Sequence, residues 1–361
     1  MIDRPTILVA GAGGFIGARL AETLCRAGVA HVKAGVLSST SRARIAALPI
    51  EIVDCDVMDQ GSLDTAMSGV DVVIHCARNR TDPGATVRST ELVLDRARAR
   101  GVRKLIYMSS VAVYGNARGI VTEDTSPVPP VSLYGRSKYA AEQACRAAAG
   151  QRLAVAVLRP SLVYGPYGEE WTARYIASIL AGELKQLGQA GNGKANLVHV
   201  DDVVRFANQL AVAELPNSYS VFNVNGPEIP TFNAYFEKLN RALGCGSLPD
   251  SRDGFAPGAA IKRPIRALGK YIQGNHQGAL RAANKIPVLN GLLKQVEARL
   301  RSTPAEAVGL YDVDVVFSAL HAKQFGFEAR ISLDEGIASC VDWATQAGLI
   351  SRDRDFPFAS R

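Results

Sequence analysis

The chain has 361 residues, 47% of them hydrophobic, and a formal net charge of +7, enough apolar material for one large domain or two intimately joined ones. Its six cysteines lack CxxC or metal spacing and its five histidines form no ligand pattern, which argues against a disulfide framework and a metal site. No apolar run approaches ~18 residues and no basic-then-apolar leader opens the chain, so a cytoplasmic protein without a spanning helix is expected.

Residues 6–10, Thr-Ile-Leu-Val-Ala, form a short β-rich run. It opens directly into Gly11-Ala12-Gly13-Gly14-Phe15-Ile16-Gly17, and an amphipathic stretch follows from Ala18 to Ala27, stopped by Gly28. Strand, glycine turn and helix in that order is the context a dinucleotide fingerprint requires. The glycines allow the tight turn and let backbone N–H groups approach a pyrophosphate at the helix N-terminus. Further strands are expected at 31–37, 50–53, 69–75, 103–109 and 153–158, with helices at 41–48, 85–100 and 134–149. This alternation implies βαβ units and a parallel sheet, and strands this apolar imply burial between two helical layers. Beyond Pro160 the alternation breaks. Residues 161–170 and 188–196 read as loops, 172–181 as a helix, and 197–200 as a strand capped by Asp201 and Asp202 into a helix at 203–213. A strand at 219–224, a helix at 233–243 capped by Thr231 and a last helix at 333–347 complete the pattern.

The chemistry is expected at two segments, 108–114 and 134–138. Tyr134 and Lys138 are four apart, which on a helix puts both on one face. An ammonium beside a tyrosine stabilises the phenolate, and such a pair can move a proton on or off a carbinol oxygen. Ser110 would hold that oxygen by a hydrogen bond.

The ordered motifs resemble those of the extended short-chain dehydrogenase/reductase superfamily, the NAD-dependent epimerase/dehydratase group. They are Gly11, Gly14 and Gly17; Asp56-Val57; His75-Cys76-Ala77; Ser109-Ser110 with Val113-Tyr114-Gly115; Tyr134 with Lys138; Leu158-Arg159-Pro160 with Val163-Tyr164-Gly165-Pro166; His199-Val200-Asp201-Asp202-Val203; and Asn223-Val224-Asn225-Gly226. Phe325-Gly326-Phe327 and Ser332-Leu333-Asp334-Glu335-Gly336 extend the match more weakly. The resemblance implies an α/β fold: a Rossmann-type doubly wound parallel sheet with a smaller, mostly helical C-terminal substrate domain. The cofactor domain would be 1–160, with 197–226 partly returning to it, and the substrate domain 161–196 with 227–361. It further implies cofactor contacts from Gly11, Gly14, Phe15, Ile16, Gly17, Ser38, Asp56, Val57, Cys76, Ala77, Arg78, Ser109 and Pro160. Tyr134 would be the acid/base, Lys138 would bind the nicotinamide ribose and tune Tyr134, and Ser110 would bind the reacting oxygen.

Departures from the family pattern qualify this picture. NAD-preferring members usually end the second strand with an acid; here 34–42 has none, and Ser38, Arg42 and Arg44 could hold a 2′-phosphate. The cofactor is therefore NAD or NADP, with a slight lean to NADP. Thr86 stands where the family has Asn. Val111 and Ala112 cannot supply the extra acid/base group that dehydratases and decarboxylases use, which leaves hydride transfer without elimination. The expected function is a (nucleotide-)sugar epimerase or reductase. The alternatives are a 3β-hydroxysteroid-dehydrogenase-like or lipid-linked-sugar dehydrogenase and, behind these, a non-catalytic NAD(P)-binding regulator. The position where nucleotide-sugar members place a diphosphate-binding Arg is Ala195, with Lys194 beside it.

Residues 255–301 look like an insertion, with nine Lys or Arg against the single acid Glu297. Ile261, Ile265, Leu268 and Ile272 recur at helical spacing between basic residues. A helical lid is the favoured reading, and peripheral contact with an anionic membrane the other. A small-molecule substrate is expected, no nucleic-acid partner, and a homodimer is left open.

Overall fold

The computed structural model describes residues 4–79, 82–126, 130, 132–249 and 311–350. The insertion at 255–301 lies outside the described residues. In chain order the elements are β1 (Thr6–Ala10), α1 (Phe15–Ala27), β2 (His31–Val36), α2 (Ser39–Arg42), β3 (Glu51–Asp54), α3 (Gln60–Ala66), β4 (Val72–His75), α4 (Pro83–Ala99) and β5 (Lys104–Met108). A 3-10 turn (Val111–Tyr114), β6 (Gly119–Val121), α5 (Leu133–Ala148), β7 (Ala154–Pro160), β8 (Leu162–Tyr164), α6 (Arg174–Leu180), β9 (Leu197–His199) and α7 (Val200–Val212) follow. The remainder are β10 (Tyr219–Val224), α8 (Phe232–Ala242), β11 (Val315–Phe317), α9 (Leu320–Gln324) and α10 (Leu333–Gln346).

The chain divides into two compact units. The first contains the described residues up to Ser161, with Val200–Asn225 and Phe317–Ala329. Its seven-stranded sheet runs β10-β7-β5-β4-β1-β2-β3, and every neighbouring pair is parallel. Parallel strands need crossovers, and the helices supply them; α4 packs with α5 and α1 with α7. Ile7, Leu8, Val9 and Ala10 of the interior strand β1 are fully buried, as strands covered on both faces must be. Leu8, Ala10, Leu105, Tyr107 and Val155 share one apolar cluster with Leu63, Val93, Leu94 and Ala141 of the helices. Gly28 closes α1 in the left-handed conformation, at φ 62°.

The second unit contains Leu162–His199 with the described residues from Gly226 to Val316 and from Arg330 onward. Its two strands, β8 and β9, pair in parallel with Leu162 opposite Leu197. Its core is aromatic: Tyr164, Tyr175, Phe232, Tyr235, Phe236 and Trp343 are all buried. Thr231 caps α8 by accepting from the Ala234 N–H, and Ser332 with Glu335 forms a capping box on α10.

Four local expectations are corrected. The helix at 41–48 is only the single turn α2, capped by Ser38; beyond it Ile45 alone between 43 and 48 is buried, so a longer helix would have no apolar stripe to bury. Residues 162–164 form β8 rather than loop, although Pro160 and Gly165 flank them. Asp201 and Asp202 do not cap α7 but lie in its first turn, where carboxylates suit the helix dipole. Asp201 receives Arg19 of α1 at 2.5 and 2.8 Å. Finally, α3, β6, β11, α9 and the 3-10 turn at Val111–Tyr114 have no counterpart in the expected pattern.

Candidate active site

The glycine turn between β1 and α1 is built by close approach. Gly11 has φ 90°, and a Cβ there would sit 2.7 Å from the Ala77 nitrogen. A Cβ on Gly17 would meet the Gly11 carbonyl oxygen at 2.2 Å. Gly14, the N-cap of α1, offers no side chain to its first-turn N–H groups. The result is a backbone cradle at a helix N-terminus, a donor set suited to a pyrophosphate. Phe15, Ile16 and Gly17 begin that helix.

The loop after β2 lies against the same turn, because Gly13 leaves no Cβ to strike Ser41. Ser38 caps α2 and bonds the hydroxyls of Thr40 and Ser41 at 3.0 and 2.9 Å. Arg42 pairs with Asp54 at the end of β3. Arg44 reaches the Gly14 and Phe15 carbonyls at 3.5 and 3.4 Å. Asp56, followed by Val57, accepts from the Met58 N–H at 2.9 Å. Cys76 and Ala77 continue from β4, and the Cys76 N–H donates to Ala10. Desolvation pushes the Cys76 thiol up to about 12, so it stays neutral. Pro160 ends β7 opposite Val224.

Ser132 caps α5, accepting from the Gly135 N–H at 3.0 Å, and sets the start of the helix that carries both proposed catalytic side chains. Tyr134 is 37% exposed, with the Arg78 guanidinium 5.2 Å from its ring centre. Lys138, one turn on, is only 4% exposed. Its Nζ donates to the Met108 carbonyl at 2.6 Å and the Tyr107 hydroxyl at 3.2 Å. Burial pulls the Lys138 pKa down, but Tyr107 and Tyr134 raise it by more, so the net shift is upward and the ammonium persists. Ser110 caps the 3-10 turn, its Oγ accepting from the Ala112 N–H at 3.2 Å. A Cβ on Gly135 would meet the Ala112 carbonyl oxygen at 2.5 Å. The glycine beside Tyr134 thus lets the turn carrying Ser110 pack against the start of α5.

A buried polar network lies one turn further along α5. Glu142 accepts from Arg159 Nε at 3.0 and 3.2 Å on its two oxygens and from Nη2 at 2.6 Å, and also from the Ser109 hydroxyl. Arg159 also donates to the Tyr114 hydroxyl at 2.7 Å, which donates to Asn223 at 2.9 Å. Burial opposes the Arg159 charge, but Glu142 overcomes it and raises the guanidinium pKa. The network joins Ser109 and Tyr114, on either side of Ser110, to the helix of Tyr134 and Lys138. Sequence reasoning quoted Arg159 and Asn223 only as motif letters and missed Glu142 and Tyr107. Glu142 was within reach, because it continues the four-residue spacing of Tyr134 and Lys138.

A parallel sheet wound on both faces, with a glycine turn opening its first helix, is the architecture of a dinucleotide-binding protein. The profile of the NAD dependent epimerase/dehydratase family matches residues 7–224, and the chain belongs to that family. It is an NAD(P)-dependent epimerase/dehydrogenase of the extended short-chain dehydrogenase/reductase type. It is 29% identical over 343 residues to N-acetyl-alpha-D-glucosaminyl-diphospho-ditrans,octacis-undecaprenol 4-epimerase of Escherichia coli O157:H7, covering 92% of each chain. It is 26% identical to 2-alkyl-3-oxoalkanoate reductase of Shewanella oneidensis, over 91% of this chain and 84% of the relative. UDP-glucuronic acid 4-epimerase from Bacillus cereus, solved with UDP-glucuronic acid and NAD, shares its fold at a TM-score of 0.70 and 19% identity, covering 94% of this chain and 99% of that one. Among the described residues no helix is long and apolar enough to cross a membrane.

Proposed function

We propose that the protein epimerises a secondary hydroxyl, the 4-hydroxyl, of a hexose carried on a diphosphate, with a polyprenyl rather than a nucleoside carrier. The single observation behind the chemistry is Lys138, a buried ammonium held by Met108 and Tyr107 one helical turn from the partly exposed Tyr134. The cradle of Gly11, Gly14 and Gly17 would hold the pyrophosphate, Asp56 the adenine amine, and Lys138 the nicotinamide ribose. When bound, the nicotinamide would supply hydride chemistry: a two-electron acceptor for oxidation of the carbinol to a ketone and the donor for its reduction on the other face. Tyr134 takes the hydroxyl proton as the ketone forms and gives it back as the alcohol re-forms. Ser110 donates to the reacting oxygen.

Three observations support the polyprenyl carrier. The relative named for such a substrate is 29% identical and spans 92% of both chains. Ala195, at the position of the nucleotide-sugar arginine, is fully buried, and Lys194 beside it is paired with Asp314 at 2.7 Å. The cationic, apolar-interleaved sequence of 255–301 fits substrate presented at an anionic membrane. The sequence lean toward NADP finds no support in the geometry, since Arg42 is engaged by Asp54; NAD is the better reading.

The test is turnover of polyprenyl-diphospho-N-acetylglucosamine against UDP-N-acetylglucosamine, with absorbance at 340 nm followed throughout. Interconversion of 4-epimers on the lipid-linked sugar without net absorbance change is expected. Faster turnover of the UDP-sugar would overturn the carrier assignment. Stoichiometric absorbance change would make the enzyme a reductase, like its 2-alkyl-3-oxoalkanoate relative.

A further inference from the structure

Ser109 stands among the expected cofactor contacts, yet its hydroxyl faces the protein interior. The residue is 4% exposed, and its Oγ gives its one proton to Glu142. Its N–H donates to the Leu158 carbonyl of β7 at 2.7 Å. Tyr114, at the other end of the 3-10 turn, is fully buried. Its hydroxyl accepts from Arg159 Nη1 at 2.7 Å and donates to Asn223 at 2.9 Å, and the guanidinium also lies 4.8 Å from the centre of its ring. Asn223 is fixed in turn: its side-chain amide donates to the Ser318 carbonyl at 2.9 Å, and its backbone N–H donates to Glu123 at 3.0 Å. One ion pair, Glu142–Arg159, therefore grips the chain on both sides of Ser110. Between those grips Val111 and Val113 are buried, and Ser110 is half-buried. Hydrogen bonds are directional and a buried charge without its partners is costly, so other arrangements of the turn are disfavoured.

We infer that the Glu142–Arg159 pair positions Ser110 through two arms, Ser109 and Tyr114, and that the Ser109 hydroxyl is a positioning group rather than a donor to the cofactor. The inference rests on the reading of Ser110 above. Its physical ground is the narrow tolerance of the bond that Ser110 would make. A hydroxyl serves a reacting oxygen only within hydrogen-bond distance, and a displacement of about 1 Å can cost roughly 10²-fold in rate. Ser110 Oγ accepts from the Ala112 N–H at 3.2 Å, which leaves its proton available to donate. That bond lies within the turn, so it fixes the side chain relative to the turn and not the turn relative to Tyr134. The bond from Ser109 to Glu142 ties the turn to α5, the helix that carries Tyr134.

The experiment is a double-mutant cycle on turnover of the better used of the two N-acetylglucosamine substrates above, with NADH binding by fluorescence and the melting temperature recorded for each variant. Ser110→Ala removes the donor itself and is expected to lower kcat ~10²–10³-fold. Ser109→Ala is expected to lower kcat about tenfold at unchanged NADH affinity, because a loosely held donor is misplaced for part of the time. Placed in Ser110→Ala, Ser109→Ala should cost less than about a further twofold, because what it positions is already gone. Tyr114→Phe keeps the ring, removes the other arm and should behave the same way in the same cycle. Weakened NADH binding with kcat intact would return Ser109 to the cofactor contacts and overturn the proposal. A Ser109→Ala loss of equal size in both backgrounds would overturn it as well. So would a lowered melting temperature with kcat unmoved, which is what a purely structural role gives. If Ser109→Ala does not fold, the Tyr114→Phe cycle decides by the same criteria. Wild-type turnover by Ser110→Ala removes the reading of Ser110 and the proposal with it, whereas slow Ser110→Ala beside fast Ser109→Ala removes the proposal alone.

Discussion

Beneath α5 the first unit buries a whole ion pair, Arg159–Glu142, with side chains 5% and 1% exposed, together with Ser109, Tyr114 and Asn223. The second unit has no ion pair so buried among the described residues; rings fill its core, and its tightest contacts are Tyr175 against Phe236 at 4.6 Å and Phe232 against Tyr311 at 4.9 Å. The difference is instructive because hydrogen bonds are directional and ring packing is less so. A buried charge tolerates one arrangement of partners, and losing any of them costs several kcal/mol. An aromatic core accepts more arrangements. The first unit places that rigidity beside the proposed catalytic side chains, at the ends of β5 and β7 and along α5.

Removing a tyrosine hydroxyl from each unit should separate them most sharply. Tyr134→Phe is expected to lower turnover ~10²–10⁴-fold, the usual scale for a general acid/base, with NADH affinity little changed. Tyr235→Phe, whose hydroxyl bonds the Trp171 carbonyl inside the second unit, should stay within a few-fold of wild type. Comparable losses in both would mean that Tyr134 is not the acid/base.

Stability gives the next contrast. Arg159→Met leaves Glu142 buried without its cation and should cost ~3–5 kcal/mol. Tyr175→Phe leaves the Tyr311 hydroxyl without its 2.6 Å partner and should cost only ~1–3 kcal/mol. Denaturant titration of both variants decides this; an Arg159→Met cost no larger than that of Tyr175→Phe contradicts the contrast.

His75 adds a pH dependence to the first unit. Burial lowers its pKa to about 3, against ~6.5 in an unfolded chain, so the unfolded state binds the extra proton between those values. The stabilisation from neutral His75 is fully present above pH ~6.5 and is lost as pH falls toward 3, at up to ~1.4 kcal/mol per unit. Replacing His75 with Gln should flatten the unfolding midpoint between pH 5 and 6.5. An identical slope in variant and wild type would show that His75 does not govern this window.

The smallest effect concerns the cofactor. Wild-type protein should bind NADH at least as well as NADPH, and Asp54→Asn, by releasing Arg42, should improve NADPH binding a few-fold, as befits an exposed pair. NADPH binding that does not respond to Asp54→Asn would remove Arg42 from consideration.

What was legible follows the same division. The close approach at Gly11 and Gly17 and the helix that carries Tyr134 and Lys138 can be read from the chain, because each follows from one residue type at fixed local spacing. The supporting contacts cannot. Glu142 meets Arg159 only because β5 and β7 pair with Met108 opposite Leu158. Glu123 accepts from the Asn223 N–H, one hundred residues away. Tyr107 looks like any apolar strand residue until Lys138 is placed beside it. In the second unit, β8 is hidden between Pro160 and Gly165, and nothing local marks Leu162–Tyr164 as partner to Leu197–His199.

The most direct test of hydride transfer and return uses lipid-linked N-acetylglucosamine deuterated at C4, with the product examined by mass spectrometry and NMR. The account predicts a 4-epimer that keeps its deuterium at C4, because the same hydride leaves and returns while only the hydroxyl proton visits Tyr134. Deuterium lost to solvent at C4 would contradict it, since that outcome requires proton abstraction at carbon.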